Sequence, residues 1–72
     1  MSERLDQVAE AYDEVAAELD QAAAHARTAA RHFRDEEVPR GAAHALALRG
    51  HVLEAQERLD EQAREHARHS QP

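Results

Sequence analysis

The chain has no cysteine, no tryptophan and no lysine. Without cysteine, disulfides, thiolate zinc sites, iron–sulfur clusters and cysteine nucleophiles are all excluded. Large side chains are equally scarce. There is one Tyr and one Phe among 72 residues, and much of the 42% apolar content is alanine. A chain of this length makes one domain, residues 1–72, and is marginal alone unless a metal or self-association adds stability. No segment approaches the roughly 20 apolar residues of a membrane span. The start, Met1-Ser2-Glu3-Arg4, lacks a basic stretch followed by an apolar one, so no signal peptide, no membrane and a cytoplasmic location are expected. A net charge of −6 argues against a general nucleic-acid binder, which carries a basic surface.

Glycine and proline are also rare, two of each, and none of them falls between residues 3 and 37. Over that stretch apolar residues recur in steps of three and four. Leu5, Tyr12, Leu19, Ala26 and Phe33 occupy heptad position a, and Val8, Val15, Ala22 and Ala29 occupy position d. Ser2 suits an N-cap, with Glu3 and Asp6 in the first turn where the helix dipole favours anions. The pattern predicts one helix over about 3–36. Pro39 disfavours helical geometry at Val38 and suits the first position of a new helix. A second pattern follows through Ala45, Leu48, Val52, Ala55, Leu59, Gln62 and His66, predicting a helix over about 39–69. A turn near 36–39 joins the two, and the tail Ser70-Gln71-Pro72 is expected to fray. The fold class is all-α, an antiparallel two-helix hairpin with Leu19, Phe33, Leu48, Val52 and Leu59 as its core.

Two helices cover only one stripe of each other, and this sequence carries more apolar surface than that. Leu46 and Leu53 lie away from the second helix's seam, and Ala9, Ala16, Ala23 and Ala30 form a stripe beside the first. Both point to two hairpins pairing as a homodimeric four-helix bundle. Acids crowd residues 3–20, whereas Arg27, Arg31 and Arg34 share one side near the first helix's end. Leu46, Leu53 and these three arginines are the candidate interaction residues, for a second copy or another protein.

Four histidines stand apart. His25 and His32 are spaced by seven, as are His44 and His51, and all four precede a seam residue at flank position g. Residue numbers that add to 76 pair His32 with His44, His25 with His51 and Glu18 with Arg58 across an antiparallel hairpin. Such rungs could ligate zinc, nickel, copper or iron through neutral imidazole nitrogens, or form a pH-sensitive interface. The Glu-x-x-His signature of di-iron bundles is absent, as is His-Glu-x-x-His, so no cofactor is the primary expectation.

Catalytic residue types are thin. Serine stands only at 2 and 70, threonine only at 28, and there is no Gly-rich phosphate loop or nucleophile elbow. The run Gly41-Ala-Ala-His-Ala-Leu-Ala-Leu-Arg-Gly50-His51 resembles the first helix of a tetratricopeptide repeat. The resemblance covers about a sixth of the chain, and neither the second-helix motif nor a second repeat follows. The sequence therefore supports a non-enzymatic, self-associating interaction or assembly module, with a histidine-ladder metal-binding bundle as the alternative.

Overall fold

Ser2 opens the structure, a computed structural model describing residues 2–70. Its hydroxyl accepts a hydrogen bond from the Leu5 N–H at 3.2 Å, satisfying one of the free donors at the start of α1, Glu3–Arg34. The second helix, α2, spans Val38–Arg68, with proline in its first turn. Both helices fall slightly short of the predicted 3–36 and 39–69 at their C-terminal ends, and the predicted fraying of Gln71 and Pro72 concerns positions outside the described residues.

The reason α1 ends at Arg34 lies in the connection. Glu36 adopts φ 60°, the left-handed region. Its N–H bonds to the Phe33 carbonyl at 3.1 Å, and the Glu37 N–H reaches back to the His32 carbonyl at 2.8 Å. This crossed pair is the Schellman closure of a helix, usually built on glycine and here built on glutamate. Three residues, Asp35 to Glu37, therefore turn the chain around.

The two helices run antiparallel and pack only on each other, in a slab with Cα extents of 54 × 26 × 12 Å. Which faces meet is a correction to the sequence reading. The a/d pattern placed Leu5, Tyr12, Leu19 and Phe33 in the seam, yet these are 63%, 51%, 47% and 46% exposed. The buried side chains of α1 are Val15, Ala22 and Ala29, and those flanking them toward α2 are Glu18, His25 and His32. The seam thus uses positions d and g instead of a and d. On α2 it runs through Gly41, His44, Leu48, His51, Ala55, Arg58 and Gln62, with Ala55 and Gly41 buried. Leu59, also expected in the core, is 43% exposed. With position g turned inward, His25 bonds to His44 and Glu18 to His51 across the two helices, and alanine at d lets the helices come close.

Candidate functional site

Rotating the seam divides the slab into a polar row inside, a polar face and an apolar face. The row is built from the histidines. His25 Nδ1 and His44 Nδ1 lie 2.9 Å apart, so one ring donates and the other accepts. The His25 ring stacks on His51, centroids 5.4 Å apart, and the His44 ring stacks on His32 at the same distance. Each outer histidine donates from Nδ1 to a carboxylate: His51 to Glu18 at 2.7 Å, His32 to Glu37 at 2.9 Å. Glu18, His51, His25, His44, His32 and Glu37 therefore form one row in space, three hydrogen bonds joined by two ring stacks.

The predicted rungs appear in altered form. The pairs expected opposite each other, His25 with His51 and His32 with His44, are the stacked ones. Hydrogen bonds instead join residues offset by one further heptad. Glu18 bonds to His51 rather than Arg58, and Arg58 pairs with Glu14 across the hairpin and with Glu54 along α2. The His32 imidazole holds Glu37 below the usual carboxylate range, aided by Arg40 and opposed by partial desolvation. A depressed carboxylate adds stability above its ordinary titration range, and that part is lost as pH falls through the lowered value. Near the C-terminus, Arg68 does the same for Glu61 and is itself raised. Among the described residues, no three His, Asp or Glu side chains converge as a metal cage.

The apolar face is the feature the sequence reading missed. Successive residues on a helix turn by about 100°, so position a of α1 and the matching residues of α2 lie on one side of the slab. Leu5 and Tyr12 line a groove there with Gln62 and His66, and Phe33 lies against Gly41, its ring 2.8 Å from where a β-carbon would stand. Leu19 and Leu59 continue the same side, with Ala9, Ala16, Ala23 and Ala30 as its outer border on α1. No acid occupies these positions themselves, and Glu65 lines the same groove with Arg4 at the open end. The opposite side carries Gln7, Glu14, Gln21 and Thr28 of α1 beside Glu54 and Glu61 of α2, and the groove there is lined by Glu14, Arg58 and Glu61. The missed signal was available: the acid-free stripe at position a, beside histidines at g, marks the side of α1 that carries its exposed large apolar residues.

The predicted interaction residues sit elsewhere. Leu46 and Leu53 project from the back of α2, away from α1, and are 75% and 46% exposed. Arg27, Arg31 and Arg34 cluster on the outer side of α1, exposed, with Arg31 donating to Thr28 Oγ1 at 3.3 Å. No helix among the described residues is long and apolar enough to cross a membrane.

No family model, curated protein or solved structure matches the chain. Its class is accordingly defined by architecture alone, an antiparallel helical hairpin with a histidine row in its seam.

Proposed function

We propose that the protein is a small, non-enzymatic module that self-associates and serves in protein interaction or assembly. One observation carries this reading. Among the described residues, the hairpin's own interface buries only Val15, three alanines and a glycine, while Leu5, Tyr12, Leu19, Phe33 and Leu59 stand exposed on one face and Leu46 and Leu53 on the back of α2. Burying a Leu or Phe side chain contributes about 1.5–3 kcal/mol, so the main hydrophobic stabilisation on offer is realised only when that face is covered. Native mass spectrometry and light scattering test the reading. A dimer or higher oligomer is expected, reduced to monomer by Leu19→Glu with Leu59→Glu. A wild-type monomer at about 100 µM, with full helix content, would sink it. Leu46→Glu with Leu53→Glu examines the separate patch on the back of α2, which is open to a further protein.

The row of imidazoles favours a second reading, a transition-metal-binding bundle. His25 and His44 offer two nitrogens side by side, and a third ligand would come from a second copy or from solvent. Adding zinc, nickel, copper and ferrous iron in turn to metal-free protein tests this. Stoichiometric uptake lost on changing both His25 and His44 to Ala would put the metal reading first.

A further inference from the structure

We infer that the partner of the apolar face is a second copy of this chain, placed on a two-fold axis with the two turns at opposite ends. The inference rests on the self-association proposed above and adds the face, the axis and the orientation.

The face is large enough to hold a second copy. The slab presents a side of 54 × 26 Å, roughly 1,400 Å², against about 800 Å² per partner in a stable interface. The slab is one helix thick, so nothing among the described residues covers this side.

The face is also self-complementary, as a two-fold interface requires because each patch meets itself. Turned end for end about Leu19, the a stripe of α1 maps onto itself. Leu19 meets Leu19 of the other copy, Tyr12 meets Ala26, and Leu5 meets Phe33. The matching stripe of α2 behaves alike about Val52, with Leu59 meeting Ala45 and Val38 meeting His66. Large residues thus meet small ones at Tyr12 and Leu59. The outer border follows, since Ala9 meets Ala30 and Ala16 meets Ala23, leaving room for close backbone approach. One axis serves both helices. His51 stands between Glu18 and His25 in the row, which sets Leu19 and Val52 within about 2 Å in height at 1.5 Å per residue.

Charge selects the orientation. The open half, residues 3–20 and 55–69, has eleven Asp or Glu against four Arg, a net of −7. The turn half, residues 21–54, has four acids against five Arg, a net of +1. With turns at opposite ends, each strongly acidic half lies against a slightly basic one. With turns together, the two acidic halves would repel.

Cysteine placement reads the geometry directly, since the chain has no native cysteine. Leu19→Cys should link to itself on mild oxidation with diamide. Leu5→Cys and Phe33→Cys should link only when mixed. Independently of any change to the face, spin labels on Arg34→Cys should lie about 45 Å apart between copies, against under about 30 Å with the turns together. Native mass spectrometry and circular dichroism on each variant establish mass and helix content. A dimer in which Leu19→Cys links only to Val52→Cys, with short Arg34 label distances, overturns the orientation and leaves self-association standing. A dimer in which none of these positions link and the labels fit neither distance overturns the face as well. A helical monomer overturns both this inference and the reading beneath it.

Discussion

At the scale of single residues, two positions carry backbone costs that a substitution can remove. Gly50 sits in the middle of α2, and a β-carbon there would meet nothing within 4 Å. It lies toward the polar side, so no close helix contact needs it. Gly50→Ala should stabilise the protein by about 1 kcal/mol, the helix-propensity difference between the two residues, measured by urea denaturation. Gly41 is the opposite case, because the Phe33 ring occupies the space an alanine methyl would fill. Glu36 holds a left-handed φ of 60° that costs a side-chain-bearing residue about 1–2 kcal/mol. It also adds an anion near the negative end of α1. Glu36→Gly should raise stability by about 1 kcal/mol after the entropy of glycine is set against that gain. An unchanged or lower denaturation midpoint would show that the turn is held by more than its backbone.

At the scale of the elements, the histidine row is what fixes how α1 and α2 face each other. Its centre, His25 with His44, accommodates one proton between two nitrogens 2.9 Å apart. A second proton would set donor against donor. At the turn end, His32 holds the Glu37 carboxyl below the ordinary carboxylate range, so the stability this bond adds is present above that range and is lost as pH falls through the lowered value. The melting midpoint should therefore drop on acidification, and the drop should shrink in Glu37→Gln. An equal drop in both chains would contradict this. Helix existence, direction and number were all legible in the sequence, since Ser2, Pro39 and the unbroken stretch between them leave few alternatives. Helix rotation was not. Periodicity ranks positions by hydrophobicity, and Leu5, Tyr12, Leu19 and Phe33 outweigh alanine. What it cannot weigh is the value of six polar side chains bonding in a row, and that moved the seam by one heptad position. Histidines spaced by seven gave the right neighbours, but the partner of each was displaced by a further heptad.

At the scale of the whole molecule, the consequence is a slab with its strongest apolar side uncovered. Its unfolding should therefore depend on protein concentration, as it does for any fold completed by association. The melting midpoint should rise over a hundredfold increase in concentration, and Leu19→Glu should abolish the rise; a flat dependence in the parent chain would argue that one hairpin suffices. The row also runs in a definite order from turn to open end. His32 with Glu37 closes a loop of a few residues, then come His25 with His44, Glu18 with His51, and last Glu14 with Arg58. Each bond shortens the loop left for the next to close, so the hairpin is built to zip from the turn outward. Unzipping runs in reverse, and the free energy needed to open an amide should decline along the slab. Hydrogen exchange would then show slow amides around Ala29 and Leu48 and progressively faster ones toward Val8 and Gln62, a gradient of local stability written by the order of the histidines.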